Sequence, residues 1–379
     1  MPSLTIDGAH VAVPEGTTVL EAARAAGIRI PTLCYLKDVS AVGSCRVCVV
    51  DVEGEEHPVP ACSAVAREGM AVATQSSRLT DYRRVALELL CASCVPCSEG
   101  RCAECDADGA CELQALACAY GVIGDAQAGA AGVAGAGENA GAVGVVVAGP
   151  GAGAPREEPV LDSHPFLTYD PNRCIACQRC VGACNVAARN HTLTTGKRGT
   201  RTTIRAPFGE DWRTSGCESC GNCAQACPTG ALAVKRRRGY RTSDVERVRT
   251  TCPHCGVGCQ LDLVVKDGHV VDAEGAPGPS NKGLLCVKGR SASFDFVEAP
   301  DRLTTPLVRN PASGQLEPAT WDEALGLVAR RFTELRDAHG GQSLAAFACS
   351  RSTNEDIYLF QKMAREALQT NNVDCCARV

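Results

Sequence analysis

"CIACQRCVGAC" at residues 174–184 and "CESCGNCAQACP" at residues 217–228 decide how this chain is built. Each run spaces its cysteines as C-x2-C-x2-C-x3-C, so one unit occurs twice. Thiols this close cannot for the most part bridge one another, but they suit iron, which sulfur ligands hold in [4Fe–4S] clusters. The paired spacing predicts two such clusters, with the fourth cysteine of each run reaching across to the other cluster. One cluster then takes Cys174, Cys177, Cys180 and Cys227, and the other takes Cys217, Cys220, Cys223 and Cys184. Pro228 follows the second run, and Asn185 stands at the equivalent place after the first.

Outside these runs the chain remains rich in sulfur, with 26 cysteines among 379 residues. The start "MPSLTIDGAHVAVPEGTTV" lacks a basic n-region, an apolar h-region and a cleavage site, and no run reaches about 18 apolar residues. The expectation is therefore a cytoplasmic, metal-binding chain with no membrane span, not a secreted disulfide framework. Net charge is −5 and aromatics make up 4%, a balance that does not call for nucleic acid. The basic run "KRRRGYR" (Lys235 to Arg241) has no interleaved aromatics and suits an interdomain or subunit contact. Neither GxGxxG nor a Walker A sequence occurs, so no nicotinamide or flavin site is visible.

The expected organisation is an α+β multidomain chain. Residues 1–78 read as a compact unit, with a hairpin in "SLTIDGAHVAVPEG" and a helix from Thr18 to Ala26, where Thr18 and Glu21 form a capping box and Gly27 a stop. Residues 79–124 open with the helix "LTDYRRVALELL" and become cysteine-rich. The Ala/Gly-rich residues 125–159 read as a flexible linker. Residues 160–240 hold the two cysteine runs. Residues 248–303 hold a further set, with two strands around an Asp267-Gly268 turn. Residues 304–379 contain a helix capped by Thr320 and Glu323, a buried strand "SLAAFACS" and a helix from Asn354 to Gln369, the start of an α/β domain.

Each remaining cysteine group has its own spacing. Cys34, Cys45, Cys48 and Cys62 can hold a [2Fe–2S] cluster, two thiolates per iron, with Gly43 and Ser44 small enough to admit the sulfides; a zinc site is the alternative. "CAECDADGACELQ" places Cys102, Cys105 and Cys111 at x2 and x5 gaps. Cys252, Cys255, Cys259 and Cys286 have gaps of two, three and twenty-six, unlike the paired CxxC of a zinc ribbon.

The first of these sets, with residues 4–76 around it, resembles the β-grasp [2Fe–2S] ferredoxin domain shared by the large subunit of respiratory complex I, [FeFe] hydrogenases and NAD-linked formate dehydrogenases. "CAECDADGACELQ" is similar to the next domain of those families, where one histidine and three cysteines hold a [4Fe–4S] cluster. The histidine's position is Ser98 here. Cys97 is taken as the fourth ligand, and a partition using Cys94 stays open. The third set matches the two-cluster bacterial ferredoxin. "CPHCGVGC" with "LLCVKG" resembles the [4Fe–4S] domain that opens molybdopterin-dependent oxidoreductases, which implies that Lys288 relays electrons between cluster and pterin.

All four sets in this order resemble the catalytic subunit of cytosolic NAD-linked formate dehydrogenases. The resemblance implies one [2Fe–2S] and about four [4Fe–4S] clusters, and a molybdenum or tungsten bis(molybdopterin guanine dinucleotide) in the full-length protein. It also implies an NADH-dehydrogenase-like partner subunit carrying flavin and NAD. "RSTNEDIYLFQKMAREALQTNNVDCCARV" resembles the stretch just before that family's metal ligand, a cysteine or a selenocysteine. The expectation is that Val379 precedes an in-frame selenocysteine codon, and that Cys375 and Cys376 are packing thiols. A stand-alone multi-cluster electron carrier, and the large subunit of an NADH:quinone oxidoreductase or hydrogenase-type complex, are the other readings.

Overall fold

The computed structural model describes residues 1–98, 102, 105, 107, 109–123, 158–206, 211, 212, 214–235, 240, 244–291 and 294–376. The expected linker lies outside them except for its last two residues. The basic run is described only at Lys235, which holds Asp162 (Nζ to carbonyl, 2.8 Å), and at Tyr240. The fold is α+β and multidomain. The chain divides into two compact units, one formed by residues 1–248, 262–275 and 284–292, the other by residues 249–261, 276–283 and 293–379.

The first unit opens with strands β1 (Ser3–Ile6) and β2 (Ala9–Ala12), paired antiparallel as the alternating sequence requires. Asp7 and Gly8 make the turn with φ of 48° and 84°, a left-handed pair that matches the natural strand twist. Helix α1 (Val19–Ala25) buries Val19, Leu20, Ala22 and Ala23 against the sheet. Strands β3 (Val49–Val52), β4 (Val59–Pro60) and β5 (Ala71–Ala73) complete a five-stranded sheet of order β2-β1-β5-β3-β4, in which β1 and β5 run parallel. This is the β-grasp arrangement. Thr18 accepts the Glu21 N–H at 3.3 Å, but the Glu21 carboxylate turns to Arg24 and Tyr35, so only half of the expected capping box forms.

Helix α2 (Ser77–Ala92) is capped by Ser76, which accepts the Leu79 N–H at 3.1 Å. It buries Leu79, Arg83, Leu87 and Cys91 at helical spacing. The short helices α3 (Val95–Ser98) and α4 (Glu112–Ala119) follow. Beyond residue 158, β6 (Leu167–Tyr169) pairs with β9 (Leu232–Val234), and β7 (Thr194–Gly196) with β8 (Thr203–Arg205), all antiparallel. Two single-turn helices, α5 (Arg179–Gly182) and α6 (Asn222–Gln225), follow the left-handed residues Gln178 and Gly221. The pseudo-repeat of the sequence is thus a repeat of backbone shape.

Strands β10 (Glu246–Thr251), β11 (Gln260–Lys266) and β12 (His269–Gly275) come next, β11 and β12 joined at Asp267 and Gly268 as expected, and α7 (Val287–Arg290) follows. In the second unit, β13 (Leu307–Arg309) and β14 (Leu316–Pro318) form a hairpin ahead of α8 (Trp321–His339). Both halves of the Thr320/Glu323 capping box are present. Strand β15 (Ala346–Ala348), α9 (Asn354–Glu366) and β16 (Val373–Cys375) follow, with β15 and β16 parallel. The expectation of a buried strand fails at Phe347, which is 77% exposed: a strand with one partner alternates, and here Ala346 takes the covered side.

Three cores hold the first unit. One fills the β-grasp sheet and α1, and one lies between the strands of residues 167–234. The third is composite, because Leu33, Cys34 and Cys45 of the first module pack with Leu87, Cys94 and Leu113 of the second and Ile175 and Cys177 of the third. Contact there is tight: a methyl on Gly182 of α5 would stand 2.8 Å from the Val39 carbonyl oxygen and 3.2 Å from Ser40 Cβ. Gly182→Ala should therefore lower stability by about 1–3 kcal/mol through overpacking. The urea midpoint of the iron-loaded protein reads it, and an unchanged midpoint would mean that the 36–40 loop yields freely.

Candidate metal centres

Cys34, Cys45, Cys48 and Cys62 are all buried to 5% exposure or less. The Cys34 thiol touches Cys45 and Cys62, and Cys48 touches Cys62. Contact with Cys45 and then Cys62 holds the Cys34 thiol well below its ordinary range, while contact with Cys34 pushes Cys45 and Cys62 up. Four buried thiols in contact cannot all carry charge in a low-dielectric interior unless a cation stands among them. Touching thiols suit a cluster that places two on each iron. Gly43 and Arg46, at φ of 64° and 56°, curl the loop round the site.

In the double run the thiols act on one another through space. Burial pushes Cys177 up to about 12, and the Cys227 and Cys174 thiols add to the effect. Burial also raises Cys180, followed by Cys227 and Cys177. Cys227 of the second run therefore sits with Cys174, Cys177 and Cys180. Cys223 is raised by burial and then by Cys220, Cys184 and Cys217, so Cys184 of the first run sits with the second. Positions two and four after the first cysteine of each run are left-handed: Ala176 and Gln178 at 53° and 62°, Ser219 and Gly221 at 58° and 71°. This curl aims the Ala176 N–H at Cys174 Sγ and the Ser219 N–H at Cys217 Sγ, both at 3.4 Å. Such N–H···S bonds favour thiolate and help set the potential of a bound cluster.

Cys102, Cys105 and Cys111 lie beside the end of α2 and α3, where Cys91, Cys94 and Cys97 are 1%, 3% and 5% exposed. Cys97 Sγ is 3.2 Å from Cys102 Sγ. The Gln114 N–H points at Cys111 Sγ at 3.4 Å. Two arginines tie this group to its neighbours. Contact with Cys97 lowers Cys94 and burial raises Cys105, and the Arg173 guanidinium, adjacent to Cys174, adds a smaller pull toward the thiolate at both. Arg179, adjacent to Cys180, donates to both oxygens of Glu112 at 2.9 and 2.7 Å and to the Leu33 carbonyl at 3.4 Å. Glu112 follows Cys111 and Leu33 precedes Cys34, so one guanidinium touches the neighbours of ligand candidates in three modules.

In the fourth set, Cys252, Cys255 and Cys259 belong to the second unit and Cys286 to the first. The Cys252 N–H donates to the Cys259 carbonyl at 2.8 Å, which draws the ends of "CPHCGVGC" together. His254 packs on Phe294 and Phe296, with ring centroids 5.7 and 6.0 Å away. Cys286 caps α7, and Lys288 is exposed. Their segment is anchored on the second cysteine run: Asn222 exchanges hydrogen bonds with the Leu285 backbone at 3.0 and 3.1 Å. Arg290, 3% exposed, donates to the Cys220 carbonyl at 2.9 Å, to Asn222 Oδ1 at 3.3 Å and to Gln225. Reasoning from cysteine spacing overlooked Arg179 and Arg290; the available signal was an arginine inside or just after a ligand motif.

The Cys34 set and the double run are all-thiol donor sets, the chemistry that iron–sulfur clusters take; among the described residues no three His, Cys, Asp or Glu side chains are gathered closely enough to hold a single metal ion. The first and third groups fall within matches to known domains, and the Cys102 group lies outside them. Residues 2–77 match the 2Fe-2S iron-sulfur cluster binding domain, and 164–233 match the ferredoxin-like domain of NADH-quinone oxidoreductase subunit 3. Residues 245–295 match the molybdopterin oxidoreductase Fe4S4 domain, and 302–379 match molybdopterin oxidoreductase. Four separate stretches of the chain are thus similar to iron–sulfur domains and to molybdopterin oxidoreductase.

Among individual proteins, the chain is similar to NADPH-Fe(3+) oxidoreductase subunit alpha of Geobacter sulfurreducens, at 36% identity over 100% of this chain and 40% of that protein. It is 35% identical to an NADH-quinone oxidoreductase subunit of Rhizobium meliloti, with the same coverage. A Staphylococcus aureus protein named "Putative formate dehydrogenase" is 29% identical over 99% of this chain and 39% of its own length. The chain thus spans about two fifths of the length of these curated relatives.

Removing Arg290 tests the anchoring of the Cys286 segment. Arg290→Met should cost about 1–3 kcal/mol for each buried acceptor left without a donor. Chemical denaturation of the iron-loaded protein checks this, and a stability within about 0.5 kcal/mol of the parent, the scatter of surface substitutions, would show that the anchor carries no weight.

Proposed function

We propose that this chain is the iron–sulfur electron-transfer portion of a formate dehydrogenase alpha subunit. It would pass electrons between a formate/CO2 site and an NADH-dehydrogenase-like partner subunit that carries flavin and NAD. The observation that carries the reading is the composite core, which sets the Cys34, Cys102 and Cys174 groups side by side in one compact unit, as a relay requires. The proposed ligands are Cys34, Cys45, Cys48 and Cys62 for a [2Fe–2S] cluster. For four [4Fe–4S] clusters they are Cys102, Cys105 and Cys111 with a fourth thiol; Cys174, Cys177, Cys180 and Cys227; Cys217, Cys220, Cys223 and Cys184; and Cys252, Cys255, Cys259 and Cys286.

Clusters of this kind, when bound, supply one-electron transfer, and the two-electron step belongs to a molybdenum or tungsten bis(pterin) group. This chain's own residues would hold the clusters, with the Cys34, Cys45, Cys48 and Cys62 set buried from water and Cys255 and Cys286 exposed, and would direct backbone N–H groups at the sulfur of the double run. Lys288, exposed two residues after Cys286, is the proposed relay toward the pterin. The pterin enters this reading through the match of residues 302–379, and no side chain here is assigned to it. A cytoplasmic setting accords with a chain that uses thiols as ligands. Among the described residues no helix is long and apolar enough to cross a membrane.

A second reading is favoured by the identities themselves: the Geobacter and Rhizobium relatives, at 36% and 35%, carry names for NADPH-ferric iron and NADH-quinone chemistry. The two separate on the electron donor. In the complex purified anaerobically from its host, formate should bleach the cluster absorption and reduce NAD, and the protein should hold about eighteen irons per chain. Bleaching by a reduced nicotinamide with none by formate would overturn the formate reading and leave the relay intact. An iron content of a few atoms would overturn the relay.

A further inference from the structure

The Cys102, Cys105 and Cys111 group needs a fourth donor, and residues 79–123 contain no histidine. Cys91, Cys94 and Cys97 are all buried beside it. A geometric rule distinguishes them. A [2Fe–2S] cluster places two thiolates on each iron, so its thiols touch; a [4Fe–4S] cube takes one thiolate per iron, at separate corners. This molecule follows the rule elsewhere. Cys34 touches Cys45 and Cys62, and Cys62 touches Cys48, so the thiols of that set form one contacting chain, whereas those of the double run act on one another across a gap.

By that rule Cys97 is badly placed. Its sulfur lies 3.2 Å from that of Cys102, and it also touches Cys91 and Cys94. Cys94 meets only Cys97 directly, and it bears on Cys102, Cys105 and Cys111 across a gap. Cys94 and Cys105 are the thiols that weigh most on Cys111, after its burial. We propose that Cys94, in the turn between α2 and α3, supplies the fourth thiolate of this site, and that Cys97 is a packing thiol wedged between Cys94 and Cys102. The inference rests on the reading of Cys102, Cys105 and Cys111 as cluster ligands. Its consequence is a cluster held by sulfur alone, with a lower potential than one bound through a neutral imidazole.

Serine variants of the iron-loaded full chain test it. Cys94→Ser should remove one [4Fe–4S] signal from the electron paramagnetic resonance spectrum of the reduced protein, with about four irons, and leave the [2Fe–2S] signal in place. Cys97→Ser should keep both. Cys94→His should keep the cluster and raise its midpoint potential. The reverse pattern, with the signal lost from Cys97→Ser and kept in Cys94→Ser, would overturn the assignment. If both serine variants lose the signal, Cys94→His decides: a retained cluster with a raised potential supports Cys94, and an absent or unshifted one overturns it. A Cys102→Ser variant with every signal intact would instead overturn the reading of this group as a cluster site.

Discussion

Buried thiols that face one another cannot all shed their protons unless a positive centre stands among them, and the first unit is arranged around that constraint. Its secondary structure is correspondingly slight. The helices of the double run are four residues long, the first running on into a five-residue π turn at Ala183–Ala187, and its strands are three residues long. The backbone between the cysteines adopts left-handed conformations that a chain without a template has little reason to choose. The apolar cores count cysteine among their main constituents, and a chain with 4% aromatic residues has few larger side chains to put there. Order comes as much from convergence on sulfur as from burial of hydrocarbon.

The second organising element is charge between the thiol groups. Arg173 precedes the first run and Arg179 lies within it, one toward the Cys94–Cys105 group and the other bound to Glu112. A guanidinium is well suited to this place because it stays charged when desolvated and donates in a fixed fork. Arg290 plays the corresponding part beside the second run, where burial lowers its pKa and the Asp272 carboxylate and the Cys223 and Cys220 thiols oppose that. These cations offset the negative charge that thiolates bring into a low-dielectric interior.

Much of this was legible in the residues. Local signals survived into the structure: the Asp267-Gly268 turn, the Thr320 cap with Glu323, the hairpin at Asp7-Gly8. Cysteine spacing pointed to the groups because a ligand loop is short and its geometry is local. What escaped was long-range. The Arg179 contact with Leu33 joins positions 146 apart, and Arg290 reaches Cys220 across 70. No periodicity encodes such pairs. β16 was missed because "VDC" is too short to alternate, and its parallel partner lies across α9. At Thr18 the cap formed without its reciprocal bond, since Tyr35 and Arg24 offered Glu21 better partners than its own backbone.

The composite core has a consequence for the life of the molecule. Thiols and apolar side chains from three modules share it, so the packing of each module depends on its neighbours. Were these sites to hold the proposed clusters, emptying one would leave unneutralised sulfur and slack packing directly against the next, and loss and refilling would be coupled across the three.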